Sequence, residues 1–237
     1  MKEIATSIIL FLFFLSCTNE PVNRYSPGSF TNELRPHLEK IVAKGVAGYD
    51  SSIIYLKDHT TDAELSKISR SEHPVLRMVA LRIMQQRDSP DKFGFIMSHL
   101  DDDATIAIDE GEFGVNFRKI ADVLLWDAEW KSIEERNKTA EKVILKHNDL
   151  HAAYAILDKL DAKEKYYPSI KEMAQRDRPF DEIEHALYGL VKFKKKADIP
   201  FIKKKFVENS GSLTDLSFQI MKEFPDTSYL SVLINYG

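Results

Sequence analysis

The sequence has a single cysteine, Cys17, in 237 residues, and it is short of glycine, with nine. One thiol excludes an internal disulfide and any Cys-x-x-Cys metal or redox site. No Gly-x-Ser-x-Gly, His-Glu-x-x-His, glycine-rich phosphate loop or Cys–His arrangement occurs, so we expect neither enzymatic activity nor a cofactor. Basic residues are not in excess either. The 33 Lys and Arg against 37 Asp and Glu give a net charge of −4, which argues against a nucleic-acid-binding protein.

The N-terminus carries an almost wholly apolar run, Ile4–Leu15, after a short polar start. Its length fits the apolar segment of a signal peptide and falls short of the ~20 residues needed to cross a bilayer. The run ends at Leu15-Ser16-Cys17, which resembles the lipobox of bacterial lipoproteins. The resemblance implies that residues 1–16 are a signal peptide, removed by cleavage, and that acyl chains such as palmitate are attached to Cys17.

The same resemblance predicts a location. Residues 17–30 would be the lipidated cysteine and a flexible tether rich in Pro, Ser, Asn and Gly. The protein would be anchored to a membrane of the cell envelope and face the periplasm or the cell surface. Two other interpretations stay open, an ordinary secretory signal and a buried apolar N-terminal helix with an incidental thiol.

Residues 31–237 show helical periodicity and an internal repeat. The pattern small–apolar–x–x–apolar recurs, with further apolar residues 13 and 16 positions after the small residue in most units; one such residue slips to Ile170, and the unit at Ala121 lacks them. We call these small residues the anchors, and their spacings are 28, 41, 32, 33 and 31 residues. The pattern predicts an all-α fold, an α-solenoid of about six helical hairpins; a non-repetitive helical bundle is the alternative. The anchors are Ser52, Ala80, Ala121, Ala153, Ala186 and Ser217.

One repeat carries a more specific pattern. His73-Pro74-Val75-Leu76-Arg77-x-x-Ala80-Leu81, followed by Ser89-Pro90 and Ile96-Met97-x-x-Leu100-Asp101-Asp102, resembles a HEAT-like repeat of the phycobilisome-lyase type. The resemblance implies that Pro74 opens a helix and that Arg77 pairs with Asp101 or Asp102. It also implies an α-solenoid with a protein-binding role. The lyase activity of some relatives is not carried over, because no catalytic site accompanies the pattern.

Charge collects in two segments. Residues 101–112 hold six acids and no base, with Asp101, Asp102 and Asp103 at their start. We expect a solvated acidic loop inserted between repeats, and a contact loop for a partner or a cation site are the alternatives. Residues 192–205 hold seven lysines, expected to form either a solvated face or a site for an anionic partner. The candidate partner-binding lysines are Lys194, Lys195, Lys196, Lys203, Lys204 and Lys205.

The two tryptophans, Trp126 and Trp130, are four residues apart on a predicted helix and serve either core packing or partner binding. Together these features predict a membrane-anchored lipoprotein that acts as a non-catalytic protein-binding or scaffold module of the bacterial envelope. The alternatives are a metal-dependent or enzymatic role centred on residues 101–112 and a self-assembling structural protein. The sequence does not identify the partner protein or the oligomeric state.

Overall fold

The chain folds mainly into short helices, as its periodicity predicts. The computed structural model describes residues 24–48, 50–87, 92–109 and 111–236, so the predictions for residues 1–16 and Cys17 lie outside it. Thirteen α-helices occur in this described part. They are α1 (Arg35–Lys44), α2 (Ser51–His59), α3 (Asp62–Ile68), α4 (Pro74–Gln86), α5 (Lys92–Ser98), α6 (Ile120–Trp126), α7 (Ile133–Lys146), α8 (His151–Ile156), α9 (Tyr167–Gln175), α10 (Phe180–Val191), α11 (Ile199–Glu208), α12 (Asp215–Glu223) and α13 (Leu230–Tyr236).

Polar side chains cap several of these helices. Asp50, Thr61, Ser132 and Thr214 each accept a hydrogen bond from a backbone N–H in the first turn of the helix that follows. Such caps satisfy donors that have no partner within the helix. Helices of this length are marginal in isolation, so contacts between helices must supply most of their stability.

The six anchors are all buried, as the repeat predicts. Five of them lie on α4, α6, α8, α10 and α12, and each of these helices contacts the next one in that order. Ser52 lies on α2, which packs against α1. On the other side of the row, α7 contacts α9 and α11 contacts α13. A small residue at each anchor lets neighbouring helices approach closely.

The repeat register is wrong in the last unit. The spacing places Leu230 and Leu233 on the buried seam, but both are exposed, and Tyr229 and Val232 are buried in their place. Residues three apart share one helix face, so a shift by one residue gives an equally periodic pattern. Apolar residues on two adjacent faces of α13 make the two registers indistinguishable in the sequence.

The expectation of a purely helical fold is also wrong in one place. A three-stranded sheet contains β1 (Val46–Ala47), β2 (Thr105–Asp109) and β3 (Val115–Lys119), in the order β1-β2-β3. β2 pairs antiparallel with β3 and parallel with β1. The segment 101–112, predicted to be a solvated loop, therefore contributes a strand, whose Ile106 and Ile108 are buried. Its alternation is only five residues long and is masked by the flanking acids.

The helical body begins earlier than predicted. Residues 24–30 were assigned to the flexible tether, but the backbone N–H of Tyr25 donates to the Arg70 carbonyl, and the Tyr25 carbonyl accepts from Glu72. Phe30 is buried. The ammonium of Lys67 lies 4.9 Å from the Tyr25 ring centroid and 4.7 Å from that of Phe30. Aromatic burial and backbone pairing thus attach this segment to α3 and the turn that follows it.

Helix α6 joins two hydrophobic cores. One core extends from Phe30 to Leu124 and the other from Ile96 to Val232. Within α6, Ile120 and Leu124 belong to the first core, and Ala121 belongs to the second. Both cores therefore pack against α6. Its last residue, the predicted site residue Trp126, lies where the two cores meet.

Candidate binding surface around Trp126

Buried carboxylates connect neighbouring units. Asp122 on α6 accepts the backbone N–H of Ala152 at 2.9 Å, which holds the start of α8 against α6. Burial raises the pKa of Asp122 above its ordinary value. Glu184 on α10 accepts hydrogen bonds from the hydroxyls of Thr214 and Ser217 at the start of α12. These bonds fix the positions of successive anchor helices.

The three aspartates at the start of residues 101–112 have different surroundings. Arg77 donates to both carboxylate oxygens of Asp102, at 2.7 and 2.8 Å, so Asp102 is the partner among the two acids that the resemblance offered. Asp101 lies 3.7 Å from the His147 ring and is exposed, and Asp103 is exposed too. Within the described residues, no group of three or more His, Cys, Asp and Glu side chains is placed to hold a metal ion.

The lysine-rich segment does not form a single free face. Lys194 is bonded to the carboxylate and the backbone carbonyl of Glu223, and Lys195 lies 2.9 Å from Glu164. Lys204 is 3.7 Å from Glu208 on the same helix, α11. The remaining candidates are Lys196, which is exposed, and Lys203 and Lys205, which are half-buried. Two of the six lysines thus connect units of the fold, and the structure does not bring the lysines together with Asp101, Asp102 and Asp103.

Trp126 and Trp130 line one cavity of about 290 Å³, which we call the tryptophan cavity. Its walls come from the end of α6, the loop after it, α7, α8 and the segment that leads to Tyr166. Trp126 is 45% exposed, while Trp130 is half-buried and meets Phe93 edge to face at 6.3 Å. Neither tryptophan is fully buried, so the alternative of simple core packing does not account for Trp126.

The tryptophan cavity is hollow because alanines replace larger residues of the repeat. Ala152 and Ala155 lie one position before and two positions after the anchor Ala153, and both line the cavity. The same positions around the anchor Ala186 hold His185 and Tyr188. In the other repeat units, the position two residues after the anchor holds Ile54, Arg82, Val123 or Gln219. Ala155 is the smallest residue at its position, and the space it leaves is not filled by neighbours.

A second depression lies on the other side of Trp126, and we call it the β3 groove. Its volume is about 390 Å³, and β3, the start of α8 and Arg178 contribute to its walls. Phe117 in this groove is 74% exposed. The Arg118 guanidinium lies 4.4 Å from the centroid of the Trp126 ring, a cation–π distance. Trp126 therefore contributes to the walls of both recesses.

Basic residues line this surface together with a smaller number of acids, Asp122 and Asp149 in the β3 groove and Asp161 in the tryptophan cavity. Arg118, Lys119 and Arg178 line the β3 groove, and Lys119 is 3.0 Å from Asp149. A further set of cations lines the tryptophan cavity. Exposed aromatic side chains with basic neighbours are typical of sites that bind acidic partners. The cations of the cavity are Arg136, Lys159 and Lys163.

Sequence reasoning selected the two tryptophans but missed the rest of the surface. Phe117 lies in β3, directly before the helix that starts at Ile120, and the helical repeat does not predict this strand. The alternation Val115-x-Phe117 was the available signal. Of the basic residues of the cavity, Arg136 lies on α7 and Lys159 and Lys163 lie in the segment that leads to Tyr166, and no spacing in the sequence connects α7 with that segment.

Comparisons with known proteins give no relative. No family model matches the chain, and neither a curated protein nor a solved structure is significantly similar to it. In the part of the chain that the structure describes, every helix is too short or too polar to cross a bilayer.

Proposed function

We propose that the protein is an envelope lipoprotein, anchored through Cys17, whose helical body binds a partner protein without catalysing a reaction. The apolar run before Leu15-Ser16-Cys17 supports the anchor. The binding role rests on one observation above the others, the exposure of Trp126 between two recesses.

We further propose that the body is an α-solenoid of helical hairpins. The row α4, α6, α8, α10 and α12 supports this arrangement, since each helix contacts the next and carries a buried anchor. The Ala152 N–H donates a hydrogen bond to Asp122 and the Thr214 hydroxyl donates one to Glu184; each bond joins residues 30 positions apart, close to the spacing of the repeat. Solenoids present extended surfaces to partners, and here that surface includes the exposed Trp126.

The partner we expect carries an acidic segment with an exposed apolar side chain. Phe117 and Trp126 would contact the apolar side chain, because partly exposed aromatic residues contribute much of the energy at protein interfaces. Arg118 and Lys119 would attract the acidic residues and mainly raise the association rate. This surface replaces the lysine-rich segment as the candidate site, since it combines basic residues with two exposed aromatic side chains, Phe117 and Trp126.

Site-specific crosslinking in intact envelopes tests the proposal. A photo-reactive amino acid replaces Phe117 in one strain and Val207 in the control strain, because Val207 is also exposed but lies on α11. We expect an adduct with one partner from position 117, and its yield should fall when Trp126→Ala is added. The same adduct from position 207, or an unchanged yield in the Trp126→Ala variant, would contradict the proposed site. An adduct with a second copy of this chain would favour the self-assembling alternative.

The same strains test the anchor. Cys17→Ser should abolish labelling by radioactive palmitate and leave either uncleaved precursor or soluble mature protein. Ser16→Ala is the matched control, since it keeps a small residue before the cysteine and should be labelled normally. Equal labelling of the Cys17→Ser variant would disprove lipidation at this residue while leaving the crosslinking result intact.

A further inference from the structure

We propose that the tryptophan cavity binds a fatty carboxylate, with a single aliphatic chain inside and the carboxylate at the basic residues of the rim. This inference goes beyond the proposed function, because the partner protein is expected in the β3 groove on the other side of Trp126. A ligand in the cavity would nevertheless contact the same tryptophan and could alter how the surface is presented.

The size and lining of the cavity fit one aliphatic chain. Its volume of about 290 Å³ is at the lower end of ligand pockets, which suits a single chain better than a two-chain lipid. Burying each methylene group of such a chain against apolar walls is favourable. The aliphatic lining residues are Leu125, Ala128, Ala140, Ala152, Ala155, Ile156 and Leu160.

The charge of the cavity selects an anion. Arg136, Lys159 and Lys163 line it, against Asp161 as the one acid among its described lining residues. Neither Arg136 nor Lys159 forms an ion pair within the described part of the chain, and both are exposed. A carboxylate bonded by guanidinium or ammonium groups gains charge-assisted hydrogen bonds, whereas a cationic head group would be repelled.

The repeat itself indicates that the cavity is a local feature of one unit. At the neighbouring anchor, Tyr188 occupies the position of Ala155, and Lys192 lies over its ring at 4.6 Å. Ala155 and Ala152 remove side-chain volume at two positions one helical turn apart on α8. Together the two alanines leave room for the aliphatic chain of a ligand beside α8.

Intrinsic fluorescence gives a direct test, since the protein has two tryptophans and both line the cavity. The mature chain is titrated with dodecanoate below its critical micelle concentration, and with dodecyltrimethylammonium as a control of equal chain length and opposite charge. We expect a saturable change in tryptophan emission and a rise in Tm with dodecanoate alone, because a ligand that binds the folded state stabilises it. No saturable change, or an equal response to the cation, would overturn the proposal.

Three variants locate the site. Ala155→Leu fills the cavity and should weaken dodecanoate binding by about tenfold or more, and Ala128→Leu should do the same from another wall. Lys159→Glu combined with Lys163→Glu should weaken binding of the anion and remove the discrimination against the cation. Lys204→Glu, on the exposed face of α11, is the matched control and should leave binding unchanged. Circular dichroism confirms that each variant is folded. Unchanged affinity in both folded cavity-filling variants would overturn the proposal without affecting the crosslinking result at Phe117.

Discussion

The two junctions that α8 makes with its neighbours differ in how closely they are packed. Where α10 meets α9 and the turn that follows α8, a Cβ added to Gly189 would lie 3.3 Å from Ile170 Cγ2 and 3.5 Å from Leu157 Cβ, so a larger residue would have to displace Ile170. Between α6 and α8, Ala152 and Ala155 leave a cavity of about 290 Å³. In both junctions, each of the two anchor helices carries a buried anchor: Ala121 and Ala153 at one, Ala153 and Ala186 at the other. The repeat skeleton therefore sets the helix positions, and the residues beside each anchor decide whether the space is filled.

The same two junctions also differ in their polar contacts. We call the junction at Gly189 the tight junction and the junction between α6 and α8 the loose junction. At the tight junction, the Lys192 ammonium donates to the carbonyls of Leu157, Asp158 and Leu160 at 2.8 to 3.2 Å, and His185 lies 2.8 Å from the Asp158 carboxylate. At the loose junction, Ala152 occupies the repeat position that corresponds to His185. The backbone N–H of Ala152 donates to Asp122, and this hydrogen bond joins α8 to α6. The loose junction thus has fewer polar contacts than the tight junction and a more accessible surface.

The largest effect is expected from Leu187→Ala at the tight junction. Leu187 is fully buried beside the anchor Ala186, and removing its side chain should lower the free energy of unfolding by roughly 2–5 kcal/mol. Lys195→Ala is the control and should cost less than about 1 kcal/mol, because its ion pair with Glu164 is on the surface. Urea titration of both variants measures the difference. Similar losses would contradict the assigned buried face of α10.

Introducing the same side chain at both junctions compares them directly. Gly189→Leu should lower the free energy of unfolding by about 1–3 kcal/mol, because the added atoms collide with Ile170 and Leu157. Ala155→Leu places leucine at an exposed position beside a cavity and should change the stability by less than about 0.5 kcal/mol. If the two variants are destabilised equally in thermal or urea unfolding, the packing contrast between the junctions is wrong.

The smallest effect is a pH dependence at His185. Its hydrogen bond to the Asp158 carboxylate, aided by nearby Glu184 and Asp181, raises the pKa of His185 above the ordinary 6.5. The charged ring therefore stabilises the folded state fully below pH 6.5, and this contribution is lost as the pH rises through the raised pKa. We expect the stability difference between the unmodified protein and His185→Gln to be larger at about pH 5.5 than at about pH 9.

Comparing the two proteins at each pH removes the contributions of other titrating groups. His147 is one such group, because burial lowers its pKa and its effect has the opposite sign. A difference between the unmodified protein and His185→Gln that stays constant or grows with pH would show that the His185–Asp158 pair does not stabilise the tight junction.

The buried anchors could be read from the sequence because they obey a local rule. A helical period and a small residue at a fixed place depend on neighbours within one or two turns, so Ala80, Ala153 and Ala186 were correctly identified. The register of α13 could not be read, since Tyr229 and Leu230 both continue an apolar period. Which one faces the core depends on how α13 meets α11, a contact between separate segments.

The sequence by itself determined the helical class, the anchor positions and the choice of Trp126 and Trp130 as candidates. Only the tertiary structure decided that Thr105–Asp109 is a strand, since its partner β3 becomes adjacent only after folding. It also decided how the charged residues pair: of the two acids that the resemblance offered to Arg77, Asp102 forms the ion pair, and Lys194 pairs with Glu223. The tryptophan cavity belongs to this second group. A cavity is space left between side chains of distant segments, and no local pattern specifies a volume that remains unfilled.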